Sequence, residues 1–412
     1  MAQRQTGLPP VESLLLYDFS WDSILSELTG EEGSPYQAAR ELLDFAGEYG
    51  LSGNLWQAYI AHRLAEDVSA FSLACERGTV SPSLRHLAGL DAQLLYRLFH
   101  AEPREIPQWP VLRAYDGGSC GSPTGARLMA LRDLLAGASD AESFLNALEG
   151  HYRSHGAAPF GLADALRAVG SEDGCELVPI EPIPCASFDD LIGLNRQKAQ
   201  ICENTEAFLK GRAFNHMLLY GDAGTGKSTS VKALLNAYRD QGLRLIELKK
   251  EQMHLLVDVA RSLTGRALKF LVFIDDLSFE EHETGYKYLK AAIEGGMEEL
   301  PDNMMLCVTS NRRHLIRETW KDRSDMEYDG DVHRSDTLEE KLSLAGRFGC
   351  AINFSVPDRR GYHEIVKGLL ARAGGTDLTE SQLLTAANTW EIRHGGVSGR
   401  TARQFVNHLT QK

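Results

Sequence analysis

No stretch of the 412 residues approaches the roughly 18 consecutive apolar residues that a membrane-spanning helix requires, so insertion in a bilayer is not expected. The opening MAQRQTGLPPVESLLLYDFSWDS has only a short apolar patch, Leu14 to Tyr17 with Phe19 close by. It lacks the longer core and small-residue cleavage site of a secretory signal, and a cytoplasmic protein is the expectation. Cysteine is sparse: Cys75, Cys120, Cys175, Cys185, Cys202, Cys307 and Cys350 stand singly, with no CxxC pair. That spacing argues against a zinc or disulfide framework and for reduced thiols serving as small core residues. Positive charge is also short, 43 Lys and Arg against 57 Asp and Glu, for a formal net charge of −14. A surface of that sign repels phosphate backbones at long range, so nucleic acid is not indicated as a partner. No internal repeat period is present.

What is there begins with length. At about 150 residues per domain the chain predicts two or three units, and 43% hydrophobic with 24% charged residues is the balance of a soluble globular protein with a sizeable core. The first part reads as a mostly α-helical domain of unknown role, 1–170. In SPYQAARELLDFAGEYG, Ala38, Leu42, Phe45 and Tyr49 recur at helical spacing, and Ser34-Pro35 supplies a cap followed by proline at the first helical position. The aromatics Trp56, Tyr59, Phe71 and Tyr96 fall at the same spacing and read as core rather than as a ligand groove. PQWPVLRAYDGGSCGSPTG reads as a loop. Three prolines, Pro179, Pro182 and Pro184, block helix continuation and mark a linker over 171–187. Beyond it the β-rich runs HMLLYG, LRLIEL, FLVFID, MMLCVTSN and CAINFSVP alternate with helical stretches, which predicts an α/β fold with a parallel sheet covered on both faces.

The chemistry concentrates in YGDAGTGKSTSVKALLNAY. Gly221, Gly226, Lys227 and Ser228 match the phosphate-binding pattern GxxxxGK[ST], after a strand and before a helix. The glycines let main-chain N–H groups of the loop, Gly221, Asp222, Ala223, Gly224, Thr225 and Gly226, turn inward around a phosphate, and the helix N-terminus with Ser228 and Thr229 adds positive partial charge. Lys227 would reach the outer phosphates and Ser228 Oγ would ligate Mg²⁺. Val231, Leu234, Leu235 and Tyr238 would anchor the helix to the sheet. In KFLVFIDDLSFEE four apolar residues end at Asp275, at the carboxyl edge where open α/β sheets bind ligands, so Asp275 would hold the Mg²⁺ and Asp276 would polarise the attacking water. The alternative is that the two acids cap a strand end.

Together with TSNRRHL and SLAGRFG, these residues resemble the AAA+ ATPases from FDDLIGLNRQK to the end, about 185–412. GTGKS, DDLSFE, TSNRRHL, EKLSL and SGRTARQF resemble more narrowly an uncharacterised family of bacterial predicted AAA+ ATPases, domain of unknown function 815. The resemblance implies an α/β nucleotide-binding domain over 188–357, with a five-stranded parallel sheet in the order 5-1-4-3-2, and a helical lid over 358–412. It implies ATP and Mg²⁺ as cofactors and a homo-oligomer, a ring or hexamer, acting on an unknown protein client. By the same resemblance Asn311 is the sensor that orients the attacking water, and Arg347 is the arginine finger reaching a neighbouring subunit's site. Arg400 is the lid sensor for the γ-phosphate, with Arg403 as competitor, and Leu191 and Ile192 contact the adenine. A polar strand cap and a surface ion pair are the bland alternatives for Asn311 and Arg347.

Two departures stand out. Many AAA+ proteins have glutamate where this chain has Asp276, which is one methylene shorter; a displacement of ~1 Å in water positioning costs on the order of a hundredfold. The narrower family shares the Asp-Asp pair, and has Ser-Asp where this chain has Ala345-Gly346. No aromatic-glycine pore loop follows LRLIEL, only KKEQMHLL, so threading of protein substrates is not indicated. The acidic stretch WKDRSDMEYDGDVHRSDTLEEK reads as a solvated loop. The leading reading is a Mg²⁺-dependent ATPase driving a change between subunits. A nucleotide-gated binding module with very slow hydrolysis is the rival, and a P-loop kinase is a third reading that has no need of the Asn311, Arg347 and Arg400 series.

Overall fold

The structure is a computed structural model. It describes residues 13–29, 34–102, 106–118, 122–171, 174–181, 186–279, 283, 285–294, 299–312, 315 and 344–411. The acidic stretch after Asn311, with Cys120, Cys185, Pro182 and Pro184, lies outside them. The chain divides into two units, the first built from the described residues of Met1–Asp164, Pro179–Ile183 and Arg266–Leu268, the second from the rest.

The helices of the first unit are α1 (Ser23–Thr29), α2 (Pro35–Tyr49), α3 (Leu55–Ala65), α4 (Ala70–Arg77), α5 (Pro82–His100), α6 (Trp109–Arg113), α7 (Pro123–Ala136) and α8 (Ala141–His155). Serine-proline pairs open α2, α5 and α7; proline is favoured there because its missing N–H would be unpaired anyway and its φ is already helical. The Ser81 and Ser122 side chains accept from the N–H groups of Leu84 and Gly125, while Ser34 makes no side-chain cap bond. Trp56 and Phe71 are buried and Tyr59 and Tyr96 pack partly buried against the same core, as their spacing predicts. The stretch read as a loop from PQWPVLR contains α6, anchored by buried Trp109 and Leu112.

The second unit carries a seven-stranded sheet: β1 (Ala165–Ser171), β2 (Gly174–Pro179), β3 (Met217–Gly221), β4 (Leu243–Glu247), β5 (Lys269–Ile274), β6 (Met304–Ser310) and β7 (Cys350–Phe354), in the order β2-β1-β4-β5-β6-β3-β7. This corrects the expected five strands. Numbered from β3, the last five run 2-3-4-1-5, which is 5-1-4-3-2 read from the other edge, and β1 and β2 extend the sheet beyond β4. The extra strands come from residues that sequence divides between the helical domain and a linker. The pairs β1–β4, β4–β5, β5–β6, β6–β3 and β3–β7 are all parallel, so the strands end on one side, and every residue of β6 is buried.

Helices α9 (Asn195–Leu209), α10 (Lys227–Tyr238), α11 (Leu256–Leu263) and α12 (Tyr286–Glu294) lie between the strands in sequence, with Val231, Leu234, Leu235 and Tyr238 of α10 buried. After β7 come α13 (Arg359–Arg372), α14 (Glu380–Arg393) and α15 (Gly399–Thr410). They share a small core of Tyr362, Val366, Leu370, Leu383, Ala387 and Phe405, and α14 opens with a Thr379/Gln382 capping box. Among the described residues no helix is long and apolar enough to cross a membrane, and Cys75, Cys175, Cys202, Cys307 and Cys350 are thiols without disulfides.

Candidate functional site

The loop from β3 into α10 is shaped by glycine. Gly221 has φ 133°, and a Cβ there would stand 2.2 Å from the Phe354 carbonyl oxygen of β7, closer than any real contact. Gly224 and Gly226 also adopt positive φ, 75° and 101°, a region that costs other residues strain. Asp222 sews the loop to β7: its N–H donates to Phe354 O at 3.2 Å and its Oδ2 accepts from Val356 N at 3.2 Å. Thr225 Oγ1 donates back to Asp222 O at 2.8 Å. The result is a closed turn ending at Lys227, whose Nζ donates to Gly221 O (2.6 Å), Asp222 O (2.7 Å) and Asn311 Oδ1 (3.0 Å). Burial lowers the Lys227 pKa below its ordinary value, against the opposing pull of Asp276, Asp222 and Asp275. The ammonium is thus held by three neutral oxygens at the start of α10, the end of a helix that favours anions.

The ends of β5 and β6 supply the acids. Asp275 Oδ1 accepts from Ser228 Oγ at 2.6 Å and from Thr309 Oγ1 at 2.5 Å. Asp276 has φ 49°, the only non-glycine among the described residues with positive φ. In that left-handed turn its N–H donates to Thr309 Oγ1 at 2.8 Å and its Oδ1 accepts from Asn311 Nδ2 at 2.6 Å. Asn311 thus bridges Lys227 and Asp276. Thr309 was not anticipated from sequence; the available signal was a hydroxyl in a wholly buried strand, two residues before Asn311.

A cavity of about 800 Å³ opens over this cluster. Leu191 and Ile192 line it, as do Ala223, Gly224, Thr225, Gly226, Lys227, Ser228, Thr229, Asp275, Asp276 and Asn311, whereas Gly221 and Asp222 shape the loop without lining the cavity. From α15, Arg400, Arg403, Gln404 and Asn407, at i, i+3, i+4 and i+7, all face it, so the cavity does not discriminate between Arg400 and Arg403. The helix start is seated on the loop: Arg400 N donates to Gly224 O at 3.3 Å, and Ser398 caps α15 by accepting from Thr401 N at 3.0 Å. Arg347 is not brought to this cavity. It pairs with Glu294 at the end of α12 and lines a separate cavity of about 230 Å³ with Phe214, Asn215 and His216.

The donor set fits Mg²⁺ as a nucleotide-bound ion. Among the described residues no group of three or more His, Cys, Asp or Glu could hold a metal, and Ser228 Oγ with the Asp275 carboxylate offers two hard oxygens. Mg²⁺ characteristically takes one or two protein ligands and completes its shell from phosphate and water.

A family model described as "Protein of unknown function (DUF815)" matches residues 163–412. The chain belongs to this family. The DUF815 match opens just before β1, so the two extra strands lie inside it. Proteasome-activating nucleotidase of Methanococcus maripaludis is 28% identical to this DUF815 chain over 203 residues, covering 46% of the chain and 47% of that protein. The chloroplastic ATP-dependent zinc metalloprotease FTSH 2 of Oryza sativa subsp. japonica is 24% identical over 204 residues, 46% of this chain and 28% of that protein. The chain therefore spans about half, or less, of the length of the curated relatives it matches. Among solved structures, the Thermotoga maritima RuvB Holliday junction branch migration motor aligns with TM-score 0.36 and 17% identity, over 55% of this chain and 64% of that one. The family match and the curated relatives, with the phosphate loop and the Asp275–Asp276 pair, support placing the DUF815 chain among the AAA+ P-loop ATPases.

Proposed function

We propose that this DUF815 chain is a Mg²⁺-dependent ATPase that binds and hydrolyses ATP at interfaces between copies of itself, in a ring such as a hexamer, in the cytoplasm, and couples the cycle to remodelling or regulation of a protein partner. The observation that carries this reading is the convergence of Lys227, Ser228, Asp275, Asp276 and Asn311 at the ends of β3, β5 and β6, bonded to one another at 2.6–3.0 Å. Main-chain amides of the loop hold the phosphates, and Lys227, whose Nζ donates to the neutral oxygens of Gly221, Asp222 and Asn311, exchanges them for phosphate oxygens. Ser228 and Asp275 would hold Mg²⁺, which would supply positive charge against that developing on the phosphate oxygens. Asp276 accepts a hydrogen bond from the attacking water, and Asn311 holds that carboxylate in place. Leu191 and Ile192 cover the base, and Arg400, with Arg403 one turn further on, approaches the phosphates from the lid. Arg347, held by Glu294 in its own chain, acts in a neighbour's site.

Lys227→Ala tests the reading: turnover of ATP in the presence of Mg²⁺ falls by a factor of about a hundred or more. Undiminished turnover would refute it. A second reading, ATP binding that orders an assembly with very slow hydrolysis, is favoured by the short Asp276 side chain engaged by Asn311; tight ATP binding without turnover sensitive to Lys227→Ala would select it.

A further inference from the structure

We propose that Thr309 is a positioning residue that sets both acids of the site at once, aligning the Asp275 carboxylate for the metal and fixing the turn that aims Asp276. This rests on the ATPase reading above. A threonine hydroxyl has one proton. At 2.5 Å from Asp275 Oδ1, the length of a charge-assisted O–H···O⁻ bond, that proton goes to the carboxylate. The oxygen's remaining capacity then accepts the Asp276 N–H at 2.8 Å. One side chain, 1% exposed yet at the wall of the cavity, thereby fixes the rotamer of the metal-holding acid and the backbone of the residue at φ 49°.

Strand register explains why only this position can do so. Val308 pairs with Ile274, the last residue of β5, so the next residue of β6 stands beside the first acid, and the N–H of Leu277 closes the far side of the turn on Thr309 O at 2.8 Å. Asp275 Oδ1 receives Thr309 and Ser228 together, so the threonine also orients the serine hydroxyl through the shared acceptor. Groups that orient a metal ligand in this way change metal affinity on the order of ten- to a hundredfold when removed.

The test uses the full chain with Thr309→Val, which keeps shape and removes the hydroxyl, and Thr309→Ser, which keeps the hydroxyl. A fluorescent ATP analogue is titrated in EDTA and then with Mg²⁺, and turnover is measured in parallel. The expected result is unchanged affinity in EDTA, a Mg²⁺ requirement raised about tenfold in Thr309→Val, a lower kcat, and recovery in Thr309→Ser. Should Thr309→Val fail to fold, Thr309→Ala against Thr309→Ser makes the same comparison, since both lack the methyl and only alanine lacks the hydroxyl. A wild-type Mg²⁺ requirement in the hydroxyl-free variant overturns the proposal, as does an equal loss in EDTA and Mg²⁺ that serine does not recover. If the wild-type chain shows no Mg²⁺-assisted affinity for the analogue, the ATPase reading falls; if it does and Thr309→Val matches it in Mg²⁺ requirement, the Thr309 role alone falls.

Discussion

Burial presses Lys227 and His62 toward their neutral forms, with different outcomes. Around Lys227 three acids oppose the desolvation. His62, packed against Phe45 and Tyr49 at ring distances of 5.0 and 5.1 Å, has Arg63 adding to the effect of burial, and its pKa is pushed down to about 4. Glu66 stands 3.5 Å from its Nε2 without reversing this. The folded-state value lies below the ordinary 6.5, so the unfolded chain takes up the proton first and stability is lost as pH falls from about 6.5 towards 4. Between pH 7 and pH 5 the helical unit loses about 2 kcal/mol through this ring. In urea melts at the two pH values, His62→Phe shows a correspondingly smaller drop; an equal drop would refute the assignment. At this scale, sequence was informative where spacing carries meaning. Gly221 to Ser228 announce a glycine turn into a helix, and the structure has one there. Thr309 was invisible because a lone hydroxyl in a strand has no pattern, and its role appears only once β6 lies beside β5. Arg347 was legible as a residue type, but its partner Glu294 was not.

Elements were legible in proportion to how much of their stability is local. Runs of apolar residues announced β3 to β7, and the Ser34-Pro35 pair announced α2. β1 and β2 were missed because ALRAVGS is short and mixed, glycines and prolines follow it, and its partner β4 lies about eighty residues on, with Ala165 paired to Leu245. Such a strand is made by tertiary pairing rather than propensity. The cap of α15 illustrates the converse. Ser398 accepts from Thr401 N and bonds Thr401 Oγ1 at 2.8 Å, so Ser398→Ala costs the helix about 1 kcal/mol. Because that helix carries Arg400 and Arg403, hydrogen exchange over 399–410 rises and ATP binding weakens together; faster exchange with unchanged binding would dissociate the lid helix from the site.

For the whole molecule the decisive question is whether sites are completed by a neighbour. Arg347 lies away from the cavity of its own chain, paired with Glu294. If it serves the next copy, Lys227→Ala and Arg347→Ala chains, each inactive alone, regain part of the turnover when mixed, because one site in the mixture has both groups. Mixtures no more active than either variant would exclude action in trans.

The strands that precede the phosphate loop also bear on how the α/β unit can be separated from the chain. A fragment starting at residue 188 would strip β1 and β2 from the sheet and leave β4, whose first four residues are buried, as an open border of unpaired N–H and C=O groups. Such borders recruit other strands and aggregate. The smallest piece that keeps β4 paired on both sides therefore begins upstream of Ala165.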